Sequence, residues 1–173
     1  DMLIKEVEYI LKNPDDRVPV DVGCNWAGFK KAGKAEGEAR VATAVDLDGK
    51  GSCLLYVGAV GGDRLYGWDA AKKDFADLTG ARKLSAKSRL AAWADFDGDG
   101  RLDLASWDGS ALAVVPQGAD GSFGKPVATG AKFEGAVLSL AALEVGVAKR
   151  AGLLVATAKG PAVVRPAGDG YKV

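Results

Sequence analysis

The sequence predicts an all-β fold made of about three four-stranded units, and three observations carry that expectation. A block of sequence recurs at a period of about fifty residues, each block holds four short apolar runs, and Gly/Asp turns separate the runs. Arg40-Val41-Ala42-Thr43-Ala44-Val45-Asp46-Leu47-Asp48-Gly49 aligns with Arg89-Leu90-Ala91-Ala92-Trp93-Ala94-Asp95-Phe96-Asp97-Gly98, and Pro116 to Phe123 aligns with Arg165 to Lys172, with Asp120-Gly121 over Asp169-Gly170. The chain therefore divides into a lead-in, 1–39, and units near 40–88, 89–135 and 136–173.

Taken in order, Leu3, Ile4, Val7, Ile10 and Leu11 fall at helical spacing with Lys5, Glu6, Glu8 and Lys12 between them, and Asn13-Pro14 closes the run. That pattern predicts a short amphipathic N-terminal helix. Arg17 to Cys24 alternates like a strand, and Ala27 to Glu38 reads as a connecting loop. The first unit places strands at Val41–Val45, Cys53–Val60, Arg64–Trp68 and Asp74–Leu78. The second places them at Leu90–Ala94, Leu102–Trp107, Ala111–Val115 and Phe123–Ala128, and the third at Val137–Leu143, Gly152–Ala158, Ala162–Val164 and Tyr171–Val173. Runs this short, bounded by turns, favour strands over helices.

A repeat of four antiparallel strands at this length is the mark of a β-propeller blade. The first strand of each unit is rich in small side chains, as Leu90-Ala91-Ala92-Trp93-Ala94 shows, which suits strands crowded about an axis. Propellers close with about four to eight blades, so three blades imply a partial propeller, a piece of a longer chain or an assembling one. Open blades expose edges and apolar faces, and the expected partners include further blades of the same or another chain.

Composition removes several functions. Lys plus Arg equals Asp plus Glu at 23 each, which leaves no basic footprint for nucleic acid or a membrane surface. No run of eighteen apolar residues is present, so no membrane span is expected. The N-terminus lacks the basic and apolar regions of a signal peptide, although a chain opening on Asp1 fits a mature or excised form. Cys24 and Cys53 have no metal-binding spacing and the chain has no His, which argues against zinc or haem; the two cysteines are either paired or two buried thiols.

The strongest chemical signal is the loop Asp95-Phe96-Asp97-Gly98-Asp99-Gly100-Arg101-Leu102-Asp103, whose carboxylates stand at positions one, three, five and nine. Alternate residues of a tight loop point inward and glycine permits the bend, so four acids in this rhythm form a cage for a hard cation, with calcium the first choice. An EF-hand is excluded by Ser106 at position twelve and by the short flanking strands. The competing reading is an Asp-Gly turn whose acids sit in water, and the mutual repulsion of four close carboxylates weighs against it. In the first unit Asp46 and Asp48 are kept but Lys50 and Leu54 replace the other acids, so no metal is expected there, with Lys50 near the two carboxylates; in the third only Glu144 is left.

This loop in the context Ala94 to Leu104 closely resembles the repeat signature of the FG-GAP/VCBS proteins, the integrin-alpha-like β-propellers. Arg64-Leu65-Tyr66 followed by Asp74-Phe75-Ala76-Asp77-Leu78-Thr79-Gly80 is similar to the cartilage acidic protein and UnbV type of these repeats. The resemblance covers about Arg40 to Val173 and is closest in the middle unit. It implies calcium held by Asp95, Asp97, Asp99, the backbone carbonyl of Arg101, and Asp103. It also implies a non-catalytic module that binds a protein or glycan, in an extracellular, cell-surface or periplasmic setting.

Without His, and with no Ser or Cys beside an evident base, no nucleophilic site is legible and an enzyme is not expected. Asp63, Asp69, Asp108 and Asp120 lie in Gly-containing turns and read as turn formers. Trp26, Trp68, Trp93 and Trp107 are the residues that could mark a ligand surface; Trp93 has the rhythm of a core residue, while Trp68 and Trp107 at strand ends are candidates for an exposed glycan- or protein-binding platform. Such a platform defines the rival function, an accessory carbohydrate-binding domain of an extracellular enzyme; a purely structural segment of a larger complex is the other.

Overall fold

The computed structural model describes residues 38–143, 149–168 and 170–173. The expected N-terminal helix, the strand at Arg17–Cys24, Trp26, Glu144 and Asp169 lie outside the described residues. Within them the protein is all-β: twelve strands form three four-stranded antiparallel sheets, and no sheet closes on itself.

The first sheet runs β1 (Ala39–Val45), β2 (Leu54–Ala59), β3 (Arg64–Asp69), β4 (Asp74–Asp77), each strand paired with the next. The second is β5 (Leu90–Ala94), β6 (Asp103–Trp107), β7 (Leu112–Val115), β8 (Val127–Ala128). The third is β9 (Val137–Leu143), β10 (Gly152–Thr157), β11 (Gly160–Ala167), β12 (Gly170–Lys172). The repeat is thus a meander, as its turn-bounded runs require. The largest departure from the sequence pattern is β8, which reduces the expected Phe123–Ala128 strand to two residues. Gly124 and Pro126 interrupt that run, and Pro126 has no N–H to give to a ladder; Phe123 joins only through an isolated bridge to Gln117.

Side-chain alternation explains why the sheets stack. Along β5 and β6, Ala91, Trp93 and Leu104 face one way and Ala92, Ala94 and Ala105 the other, since neighbouring residues of a strand point to opposite faces. The first set packs with Val45, Tyr56 and Leu65 of the first sheet; the second packs with Leu153, Val155 and Val164 of the third. The middle sheet is therefore covered on both sides, and four of the five residues of β6 are buried. Between sheets, the first strands approach each other, β5 lying beside β9 and beside β1. Their small side chains permit that approach. Trp93 sits in the first interface, edge-on to Tyr56 at 5.1 Å and to Phe123 at 5.9 Å, which matches its expected core role.

A buried polar knot ties the first sheet to the second. Asp63, 2 % exposed, accepts from the Tyr56 hydroxyl (2.6 Å), the Ser88 hydroxyl (2.6 Å), the Ser88 amide (2.7 Å) and the Ala59 amide (3.1 Å). Ser88 in turn shares a hydrogen bond with Ser106 of β6 at 2.7 Å. Burial, and then the charge of Asp63, pushes the Tyr56 phenol far above its ordinary range, so it stays a donor. The turn-former reading holds for Asp69, Asp108 and Asp120, which accept amides two or three residues on, but Asp63 does more than shape its turn.

Cys53 is an exposed free thiol just before β2, which corrects the buried-thiol alternative for this residue; its position at the end of an open loop gives it no core to enter.

The two-sided cover of the middle sheet sets an expectation for stability. Leu104→Ala, at a fully buried position, should cost about 2–5 kcal/mol in chemical denaturation. Leu138→Ala, at a position 60 % exposed, should change stability by less than about 0.5 kcal/mol.

Candidate metal centre

The β5–β6 loop is shaped before any ion is considered. Gly98 and Gly100 take φ of +89° and +87°, a region that side chains with a Cβ avoid, and the first unit's loop repeats the turn with Gly49 and Gly51 at +67° and +83°. Asp95 at the end of β5 anchors the turn: one oxygen accepts the amides of Gly98 (2.6 Å) and Asp99 (3.1 Å), the other that of Gly100 (2.8 Å). Asp97 accepts the Asp99 amide at 3.1 Å and Asp99 the Arg101 amide at 2.9 Å.

This winding brings carboxylate oxygens of Asp95, Asp97 and Asp99 within 4.8 Å of one another. At such separations each pair of charges repels by roughly 3–4 kcal/mol at an effective dielectric near 20. Backbone amides offset part of that, and the Arg101 guanidinium, which pairs with Asp99, offsets more. The donor set is all oxygen and anionic, with no nitrogen or sulfur ligand, which fits a hard cation such as calcium or magnesium.

Asp103 stands apart from this trio. It is fully buried at the start of β6; one oxygen accepts the amides of Phe96 (3.0 Å) and Asp97 (3.2 Å), the other that of Gln117 (2.8 Å). Burial, and after it the negative charge of Asp97, raises its carboxyl above the ordinary range, against the opposing pull of the amides. Its visible task is to brace the loop on Gln117, in the segment that follows β7. The side chain of Arg101 is held by Asp99 and by the Gln117 carbonyl, 2.9 Å from Nε.

The first unit's loop differs chemically. Of the two carboxylates the sequence set near it, Lys50 pairs with Asp48, its ammonium 3.7 Å away on an exposed surface, and an exposed pair of this kind contributes about 0–1 kcal/mol. Asp46 accepts the Gly51 amide at 2.8 Å, which is the main cause of its lowered pKa, and its other oxygen is buried without a hydrogen-bond partner.

Two features near the loop were invisible in sequence. Arg150, from the start of the third unit's strand pair, donates to the Phe96 carbonyl (2.9 Å) and to the Gly168 carbonyl (2.6 Å), with its guanidinium 5.0 Å from the centre of the Tyr171 ring. Tyr171 donates to the same Phe96 carbonyl at 2.5 Å, and the Ala151 amide donates to the Asp95 carbonyl at 2.7 Å. The acidic loop is thus clamped to the third sheet from behind. Of the aromatic candidates, Trp68 is 46 % exposed and edge-on to Phe75 at 5.4 Å, whereas Trp107 is half-buried against Phe133 at 5.7 Å.

Fold and site together define a β-rich repeat protein carrying an acidic loop on its middle sheet. No family model, no curated protein and no solved structure matches the chain. No helix among the described residues is long and apolar enough to cross a membrane.

Asp103 offers a direct check on the bracing role. Asp103→Asn swaps an acceptor for a donor facing buried amides, so it should destabilise the protein by about 1–3 kcal/mol in urea denaturation even with chelator present. A variant as stable as wild type would show that the brace contributes nothing.

Proposed function

We propose that this chain is a non-catalytic, calcium-binding interaction module built of FG-GAP/VCBS-like propeller blades. The observation that carries this reading is the convergence of the Asp95, Asp97 and Asp99 oxygens on one small volume, in a loop wound by hydrogen bonds from its own amides. The resemblance adds the Arg101 carbonyl and Asp103 as completing ligands, and ligand distances of about 2.3–2.6 Å would distinguish calcium from the shorter, octahedral contacts of magnesium. In this reading the ion holds the blade, and binding to a protein or glycan falls to the surfaces around it, outside the cytoplasm.

Because the ion binds the folded loop and not the dispersed acids, it stabilises the fold by mass action, about 2.7 kcal/mol at a hundredfold excess over Kd. Calorimetry with calcium and with chelator tests this. Calcium should raise the melting temperature of the wild type, Asp97→Ala should remove most of that rise, and Asp48→Ala should preserve it. Equal melting temperatures of the wild type in both conditions would reduce the loop to an acidic turn.

Trp68 favours the glycan version of this reading, since an exposed indole on a sheet can stack on a sugar ring. The further partner of the proposal is more blades, from this or another chain. Leu154 is 40 % exposed beside Val163 on the side of the third sheet turned away from the middle one, where a fourth sheet would pack. Sedimentation of these 173 residues should accordingly show self-association; a stable monomer at high concentration would remove the assembly half of the proposal.

A further inference from the structure

A cavity of about 660 Å³ opens between the first sheet's loop and the second sheet, on the same end of the stack as the acidic loop. Its counterpart between the second and third sheets shows what such a place holds. The pairing of the strands sets the equivalence: Leu104 pairs with Val115 as Leu153 pairs with Val164, all four fully buried. Carried outward, Arg101 stands where Arg150 stands and Leu47 where Phe96 stands. Likewise Gln117 opposes Phe123 as Pro166 opposes Tyr171, one position off the alignment that the Asp-Gly turns suggest.

At the second junction the space is filled: the Arg150 guanidinium lies on Tyr171 and donates to the carbonyls of Phe96 and Gly168. At the first junction both fillings are gone. Phe123 replaces the tyrosine and has no hydroxyl, its ring being buried against Trp93. Arg101 is turned away and held twice elsewhere, by Asp99 and by the Gln117 carbonyl. What is left is a space walled by Leu47 on the loop side and by Gly118 and Ala119 on the hairpin side, which are the counterparts of the elements that Arg150 bridges. The charged residues along its walls are Asp46, Asp48 and Asp120 with Arg82 and Arg101. Arg82 is itself spent on the Gly121 carbonyl at 3.0 Å. Asp48 is paired with Lys50 at 3.7 Å and Arg101 with Asp99, which leaves Asp46 and Asp120 as the lining carboxylates without a salt bridge among the described residues, and these suit a single cation of delocalised charge with several donors in a plane.

We infer that this cavity binds a guanidinium group, taking from a ligand what Arg150 supplies in the neighbouring junction. The group comes from a small guanidinium compound or from an arginine side chain of a peptide. The cavity borders the acidic loop through Gly100 and Arg101 but needs no ion for its own contacts, so the test is run in chelator, where the calcium reading plays no part.

Agmatine and the capped peptide acetyl-Gly-Arg-Gly-amide are titrated into the full chain by calorimetry at low salt. Saturable one-to-one binding is expected. Equal affinity for both probes assigns the guanidinium alone, and tighter binding of the peptide assigns a protein source; both uphold the inference. Asp46→Asn, which keeps an acceptor for the Gly51 amide, should weaken binding at least tenfold. Ala119→Trp should plug the cavity and abolish binding, with an unchanged circular dichroism spectrum. Absence of saturation with either probe would overturn the inference, as would wild-type affinity in Asp46→Asn. Binding to Arg101→Ala but not to the wild type would overturn it too, because the cavity would then be the alternative seat of Arg101 itself.

Discussion

The structure depends on the inner strands of the middle sheet being covered on both faces. Alternation along β5 and β6 sends one row of side chains to the first sheet and the next row to the third, so a strand of five residues serves two cores at once. In an array of this kind each unit contacts only its neighbours, and stability is the sum of units and of the interfaces between them. Among the described residues neither outer sheet has that two-sided cover: β9 and β1 carry exposed residues along much of their length. The acidic loop is attached to the one sheet that cannot be tilted without disturbing both cores. That mounting resists the separation that the mutual repulsion of three close carboxylates drives, alongside the backbone amides and the Arg101 guanidinium.

Much of this architecture was legible because its signals are local. Turn residues at fixed offsets and short apolar runs need no knowledge of the rest of the chain, and eleven of the twelve strands fall where those signals place them, within a few residues at the ends. The exception, β8, also has a local cause in Gly124 and Pro126. The Asp95, Asp97 and Asp99 trio was readable for the same reason, since a two-residue rhythm in a tight loop needs only the loop's own backbone to bring the acids together.

The remainder was illegible because it is made by distance. Asp63 stands beside a turn glycine as the ordinary turn residues Asp108 and Asp120 do, and only Ser88, 25 residues further on, turns it into the centre of a buried knot. Ser88 itself lies in a polar stretch that gives no hint of its complete burial. Arg150 reaches Phe96 across 54 residues and Tyr171 reaches it across 75, so the clamp behind the loop has no sequence signature. Asp103 is the instructive intermediate case. Its spacing marks it as a member of the loop, but the direction of its carboxylate, toward the amides of Phe96, Asp97 and Gln117, follows from burial and not from spacing.

The ragged end of the middle sheet has a consequence for solubility. A long regular outer strand would offer a row of free amides and carbonyls to any passing chain, and such rows template aggregation. Here β7 is covered piecemeal: Phe123 bridges Gln117, the Gly124 amide reaches the Pro116 carbonyl, β8 pairs for two residues, and Thr129 caps the Leu112 carbonyl with both its amide and its hydroxyl. Pro126 stands in the middle of that cover with no amide to offer. The outer rim of the middle sheet thus satisfies the strand beneath it while presenting almost no ladder of its own, and the array is protected along that side.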